Sequence, residues 1–559
     1  MASEDEVKKC KIIIIGAGMS GLSAATHLVK NNMTDFIVLE ARKRIGGRII
    51  SIEVESHRVE LGANWIHGVL GNPMYEMAMS HGLIDIVNIP KPHKVVAATE
   101  DGKQVPFQLL QEIYEAYSCF LHRCEEYFLC QYEPPAGITS VGEHIALEME
   151  MYLEGMEGEA RRIRRLIFDC LLKRETCISG CTSMADIDLL ELGSYTELQG
   201  GNIALPAGYS SILEPVSRHL PVDSLLLDHG VATIDWTSST ETTLSDKVTT
   251  LSDKVTTLSD KVTTLSDNDS DDSDRTVIGE SETQSVGVRV TCENGATFVA
   301  DHVICTIPLG VLKDRADKLF KPPLPEYKTE SIERLLFGTV DKIFLAYERP
   351  FLNPDISEIM LLWDVEEDVD KDDLSQTWYK KIYSFSKVSE TLLLGWVSGR
   401  EAEYMESLPQ QQVADTCTCI LRKFLNDPFV PKPKLCVRTK WFGEPNTRGS
   451  YTAMAVGASQ ADIERIARPL YAHTRSRNHH AKPLVVFAGE HTHTNFYSTV
   501  HGAFLTGRSA AQTLLSAAVA HESQTQASVD EDEPTPNVVE CDAADTTDLS
   551  SWIRGIALD

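Results

Sequence analysis

At 559 residues the chain is too long for a single compact core, and its 42% hydrophobic and 24% charged content is that of a globular protein. A net charge of −30 disfavours nucleic acid as a partner. No apolar run approaches the ~20 residues that span a bilayer, and the acidic start Met1-Ala2-Ser3-Glu4-Asp5-Glu6 lacks the basic and apolar parts of a secretory signal.

The first predicted element is a strand, Lys11–Ile15, whose isoleucine run suits burial. Gly16-Ala17-Gly18-Met19-Ser20-Gly21 follows it directly and opens a helix over Met19–Lys30; a second strand, Phe36–Leu39, leads to Glu40. In this turn Gly16 permits the tight bend, Gly18 lets backbone approach a pyrophosphate, and Gly21 lets the helix pack on the sheet. The helix N-terminus offers free N–H groups and the positive end of a dipole. Glu40 stands where a carboxylate accepts hydrogen bonds from both adenosine ribose hydroxyls, which favours a cofactor without a 2′-phosphate. The pair Gly46-Gly47 with Arg48 offers another diphosphate cradle, which a nicotinamide enzyme does not need.

Further strands are predicted at Val231–Trp236, Gly287–Thr291, Thr297–Val299 leading into Val303–Ile307, and Leu484–Ala488, with a helix from about Ser498 to Leu515. Lys342 lies on an apolar strand, Val340–Leu345, where an ammonium is costly unless it has a purpose. Two stretches, roughly 90–200 and 345–435, are richer in helix formers and aromatics. The pattern predicts an α/β fold: a Rossmann-type nucleotide-binding domain assembled from segments 8–90, 200–345 and 436–515, with an inserted α+β substrate-binding domain from 91–199 and 346–435. Residues 242–267 repeat Thr-Thr-Leu-Ser-Asp-Lys-Val with Leu244, Val248, Leu251 and Val255 at coiled-coil spacing. The Thr, Ser and Asp between them are poor helix formers, so 241–285 reads as a low-complexity surface insertion. The acidic tail 521–559 reads as disordered. Both segments inflate the net charge, so the remaining acid excess only supports a cationic substrate. Thirteen cysteines without metal-ligand spacing read as reduced thiols and no metal site.

The extended signature Glu40 to Arg48 resembles the flavin amine oxidase (flavin monoamine oxidase) family. The resemblance continues at Glu60-Leu61-Gly62-Ala63-Asn64-Trp65-Ile66-His67-Gly68, Val303 to Leu312, Asp341-Lys342-Ile343-Phe344, Ala488 to Thr492, and Tyr497 to Gly502. These blocks run in the family's order from residue 11 to about 511, and look closest to the animal spermine and N1-acetylpolyamine oxidases. The resemblance implies non-covalent FAD. Gly16, Ala17, Gly18, Gly21, Glu40, Arg48, Gly62, Ala63, Asn64, Trp65, Val231, Glu490, Thr499 and Val500 would hold it. Val231 would make a backbone contact to adenine, Glu490 would reach the ribityl chain, and the amides of Thr499 and Val500 would face flavin N1 and O2. It also implies two catalytic side chains. Lys342 would hold a water against flavin N5, and His67 would take up a proton or orient the amine. Glu197 would hold a distal ammonium and Tyr451 would form an aromatic wall, with Trp441 and Phe496 as further candidate walls. Val500 and Gln199-Gly200-Gly201-Asn202 depart from the spermine oxidase pattern, which blurs the choice between spermine and acetylated polyamines.

The expected reaction moves hydride from a carbon beside a secondary amine to the flavin, giving an aldehyde, a shorter polyamine and hydrogen peroxide. Oxygen is the acceptor, and neither nucleic acid nor membrane is a partner. A protein that binds flavin or NAD without catalysis and acts through its repeat is the alternative from another class. The ending Ala557-Leu558-Asp559 is no peroxisomal tripeptide, so a cytoplasmic location, with the nucleus open as a second site, is the expectation.

Overall fold

The computed structural model describes residues 7–84, 94–237, 287–364, 373–472 and 482–530, the last ten for their backbone only. The repeat at 242–267 and the tail beyond 530 lie outside the described residues. The described residues up to Leu514 form one compact unit, and those from Leu515 on belong to a second. The described part of the second is the end of a helix that runs from Val500 to Asp530, past the expected stop near Leu515. Nothing between Arg508 and Asp530 breaks a helix: there is no Gly or Pro, and Ala recurs throughout.

The first unit is α/β. Its nine-stranded sheet is centred on Lys8–Ile15, which pairs in parallel with Phe36–Leu39 on one side and Thr297–Cys305 on the other. Ile12 to Ile15 are all buried, and this is why the strand reads as a β-branched run and not as an alternation. Thr297–Cys305 also pairs in parallel with Pro483–Phe487 and antiparallel with Val288–Cys292, which continues to Val231–Asp235. Four parallel strands from the start, middle and end of the chain therefore present their carboxyl ends along one edge. Ligands bind at that edge in open α/β sheets.

Glycines set how closely the helices approach it. A Cβ on Gly21 would stand 1.9 Å from the Gly16 carbonyl oxygen, and one on Gly507 would stand 1.9 Å from the Ser20 carbonyl oxygen. The first and last helices thus touch backbone to backbone, and Ser23 Oγ donates to the Phe504 carbonyl at 2.7 Å.

A second sheet runs in the order Leu435–Arg438, Val340–Ala346, Leu392–Ser398, Ser384–Ser389, Ile356–Leu362, Lys94–Thr99. Helices Phe107–Leu129, Val141–Tyr152 and Gly158–Ser179 share a buried core with its Ala97, Met360 and Leu362. The sequence predicts only one of these strands, as Val340–Leu345, and groups it with the nucleotide-binding segments. In the fold it lies inside the six-stranded sheet, between Leu435–Arg438 and Leu392–Ser398. Short apolar runs in 90–200 and 345–435 look alike whether they become strands or buried helix turns. Among the described residues no helix is long and apolar enough to cross a membrane.

Candidate active site

A cavity of about 1600 Å³ opens at the carboxyl edge of the nine-stranded sheet and extends to the six-stranded sheet. Pockets for drug-sized ligands hold ~300–1000 Å³, so this one has room for a dinucleotide and a second molecule.

The dinucleotide end starts at Gly16, whose φ of +101° and a would-be Cβ 2.6 Å from Thr306 Oγ1 exclude other residues. Gly16 and Gly18 line the cavity. Ala17 and Gly21 do not: Ala17 donates its N–H to Glu40 Oε2 at 2.8 Å, and Gly21 packs on Gly16. Glu40 is buried, its other oxygen accepting from Arg42 N–H at 2.9 Å, and it still faces the cavity. No side chain caps the Met19–Lys30 helix at Gly18, so its first amides remain for an anion. Gly47 faces Gly18, and a Cβ there would come 3.2 Å from the Gly18 Cα. Val231, the first residue of its strand, closes this end.

Arg48 faces the cavity and is also bonded to protein groups. Its Nη1 donates to Glu490 Oε1 at 2.9 Å and to the Ser450 carbonyl at 2.7 Å. Glu490 also accepts from Thr452 Oγ1 and the Ser498 amide. Burial opposes its charge, but Arg48, His491 and the Ser498 amide outweigh burial and hold the carboxyl below its ordinary range. Arg48 and Glu490 both line the cavity as a locked pair. Beside them Thr499 accepts the Gly502 amide at 2.9 Å and caps the final helix, so Thr499 and Val500 place its N-terminus on the cavity wall.

Lys342 is buried to 3% exposure. Its Nζ donates to the carbonyls of Glu60 and Gly62 at 2.7 and 2.8 Å, has Asn64 Oδ1 at 3.4 Å, and stands 4.7 Å from the Trp396 ring centroid. Burial pushes its ammonium down to about 7, against the pull of Glu60. Trp396 is its register partner on the neighbouring antiparallel strand, hence on the same face. Trp65 stacks on Trp396, with centroids 6.0 Å apart, and has His67 at 6.4 Å. Gly62 must be glycine, since a Cβ would lie 1.7 Å from the Arg48 carbonyl oxygen; Gly62, Ala63, Asn64 and Trp65 all line the cavity.

His67 sits on a two-residue strand paired with Asn202–Ile203. Its Nδ1 contacts Asn202 Oδ1 at 2.9 Å, an acceptor that holds the proton on Nδ1 and leaves Nε2 as the basic nitrogen. Burial lowers the imidazole from its usual value, against Asn202 and Glu197. Glu197 and Tyr451 line the cavity as expected. Tyr451 Oη donates to the Cys177 carbonyl, anchoring the helix Gly158–Ser179. Trp441 lines the cavity as well. Phe496 is not among its lining residues and packs against His493 and His501.

Sequence reasoning missed Trp396, Asn202, Glu125, Glu175 and Arg174, all of which line the cavity. A lone Trp on the strand beside Lys342 was the only available signal for the first. Glu125, Arg174 and Glu175 show at helix spacing, and Asn202 on the strand beside His67, only once the fold is known. Among the described residues no cluster of His, Cys, Asp or Glu is placed to hold a metal.

This geometry has counterparts in known proteins. Residues 19–263 and 275–515 match the family of flavin containing amine oxidoreductases. The chain belongs to that family. It is 32% identical over 527 residues to the human peroxisomal N(1)-acetyl-spermine/spermidine oxidase, covering 90% of this chain and 95% of that one. It is 28% identical to rice polyamine oxidase 1, covering 91% and 97%. A solved putrescine oxidase double mutant with redesigned cofactor binding superposes with a TM-score of 0.57 at 17% identity, over 91% of this chain and 100% of that one, and shares the fold.

The residues present fit FAD. Facing glycines, an uncapped helix N-terminus and a buried carboxylate at the end of the second strand form a dinucleotide cradle. The protein is accordingly a flavin-dependent amine oxidase.

Proposed function

We propose that this amine oxidase acts on polyamines, at a carbon beside a secondary nitrogen of spermine or an N-acetylated polyamine. The observation that carries the reading is one cavity holding the flavin cradle, Lys342 and three carboxylates: Glu197, Glu125 and Glu175. Glu125 and Glu175 lie on the helices Phe107–Leu129 and Gly158–Ser179. Burial, with Glu125 as neighbour, pushes the Glu175 carboxyl up to about 7 in spite of Arg174. A bound ammonium would draw Glu175 back to its charged form.

FAD, when bound, supplies the electron sink that takes two electrons from the amine and passes them to oxygen. The chain's own groups manage position and protons. Neutral Lys342 has two N–H groups for the Glu60 and Gly62 carbonyls, so it can gain or lose a proton at Nζ without breaking either bond. His67 Nε2 can take a proton from the incoming ammonium, because only the neutral amine gives up its electron pair. Trp65, Trp396, Trp441 and Tyr451 wall the site with apolar surface. Overall an amine C–H bond becomes an imine, water splits the imine to an aldehyde and a shorter amine, and oxygen leaves as hydrogen peroxide.

One observation favours the acetylated substrate. Arg174 lines the same cavity over the Tyr114 ring, 5.9 Å from its centroid. A guanidinium there repels a free ammonium and suits an acetamide carbonyl. Peroxide release from spermine, spermidine, N1-acetylspermine and a monoamine tests both readings. Polyamine turnover well above that of the monoamine supports the proposal, and equal turnover refutes it. A preference for N1-acetylspermine selects the second reading.

A further inference from the structure

Three consecutive carbonyls of the chain are gripped from two sides. Lys342 Nζ takes those of Glu60 and Gly62, and Trp441 Nε1 takes that of Leu61, between them, at 3.1 Å. The same indole packs on Gly62, where a Cβ would meet its ring at 3.3 Å. Residues 60–62 lead directly into the cavity wall Ala63-Asn64-Trp65. The placing of that wall and of the Lys342 ammonium therefore depends on where Trp441 is held.

Residues 441–443 are held by two buried carboxyl groups on the far side of the Lys342 strand, Asp341 and Glu406, which share a hydrogen bond. Burial and the neighbouring Glu406 push the Asp341 carboxyl well above its ordinary value. Asp341 and Lys342 are consecutive strand residues, so their side chains leave on opposite faces. Asp341 is fully buried. Its Oδ1 accepts from the Trp441 amide at 3.3 Å and from Thr439 Oγ1 at 2.5 Å. Thr439 Oγ1 in turn accepts the Lys342 amide at 2.8 Å. Glu406, buried at the end of helix Gly399–Ser407, accepts the next two amides: Phe442 on Oε1 at 2.8 Å and Gly443 on Oε2 at 2.7 Å. Three successive N–H groups, 441 to 443, thus point at two carboxyl groups. Gly443 leaves no room for slack, since a Cβ would come 2.9 Å from Glu406 Oε2. Arg438 is buried beside this cluster and donates to the Leu408 carbonyl. Neither carboxyl group is among the cavity-lining residues, so neither is placed to touch substrate.

We infer that Glu406 and Asp341 are positioning residues for the oxidation, acting through the 441–443 loop and the Trp441 indole to fix residues 60–62 and the Lys342 ammonium. A buried carboxylate receiving paired amides is a stiff anchor, because leaving those donors unpaired is costly. Small displacements of a catalytic group change rate far more than binding. The inference rests on the amine-oxidase chemistry assigned above, and wild-type turnover of the polyamine panel in the same assay checks that chemistry separately.

The test is a cycle of Glu406→Gln, Trp441→Phe and the double variant, all purified with bound flavin. Glu406→Gln replaces one of the two acceptor oxygens by a donor. Trp441→Phe keeps an aromatic wall and removes the N–H to Leu61 together with the part of the ring that packs on Gly62. Each single variant is expected to lower kcat about tenfold with KM changed less than twofold, and to shift the visible absorption of the bound flavin in the same direction. The double variant should be no slower than the worse single one, because both changes act on one path. If Glu406→Gln lowers only the melting temperature and leaves kcat and the flavin spectrum at wild-type values, or if the two losses multiply, the positioning role is overturned. Should Glu406→Gln fail to fold, Trp441→Phe still decides: wild-type kcat and an unshifted spectrum in it refute the inference.

Discussion

Arg48 Nη1 and Glu490 Oε1 meet at 2.9 Å across 442 positions of sequence, tying the second glycine loop to the entrance of the last helix. The pair joins the N-terminal and C-terminal parts of the flavin cradle, so removing one partner should loosen both. Arg48→Met leaves Glu490 as an uncompensated buried charge. The cost should lie toward the low end of about 3–5 kcal/mol, since 24% of the Arg48 side chain is exposed. Urea unfolding checks it. The sign with pH follows from Glu490's depressed pKa. Its contribution is present above the unfolded carboxylate value and lost as pH falls through the folded one. The Met variant, lacking that contribution, should therefore acid-unfold at a higher pH than wild type.

Lys342 gives a pH signature of the same sign in a different window. Its pKa falls to about 7 on burial, so between about 7 and the ordinary lysine value the unfolded chain binds one proton more than the folded one, and stability from this group rises with pH. Lys342→Met removes that rise. Melting temperatures from pH 7 to 10 should show wild type gaining on the variant at each step. Turnover of the variant should drop about 10²-fold or more, with bound flavin retained.

His67 is expected to act as a base whose neutral form is favoured by burial. The acidic limb of kcat/KM should therefore lie below the ordinary imidazole pKa and disappear in His67→Gln. Asn202→Ala frees the Nδ1 proton and should weaken the limb without removing it. Steady-state rates from pH 5 to 9 decide. An unchanged limb in His67→Gln assigns the base elsewhere.

The carboxylates predict a split between substrates. Glu197→Gln and Glu175→Gln should raise KM for spermine about tenfold, the worth of one charge-assisted hydrogen bond, and leave a monoamine's KM unchanged. Steady-state kinetics with both amines measures it. Equal KM changes for both would mean these groups do not read the distal charge.

The nucleotide end of the site was legible in the sequence because its demands are local. Gly16, Gly18 and Glu40 act through a turn and one strand end, and spacing alone reveals them. Lys342 was legible as a charge on an apolar strand. The amine end was not legible, because Glu175, Arg174 and Trp396 come to the cavity only through the packing of long helices on a sheet whose strands resemble buried helix turns. Arg48 carries a second role that its type does not announce: besides facing the cavity from a glycine loop, it is paired with a carboxylate hundreds of residues away.

Anaerobic mixing of the purified protein with spermine or N1-acetylspermine, followed in the flavin absorption band, tests the central claim most directly. The account predicts a yellow protein that bleaches on mixing without added nicotinamide and regains its colour, with hydrogen peroxide, when air is admitted. A folded protein that takes up no FAD, or one whose bound flavin stays oxidised with every polyamine, would contradict it.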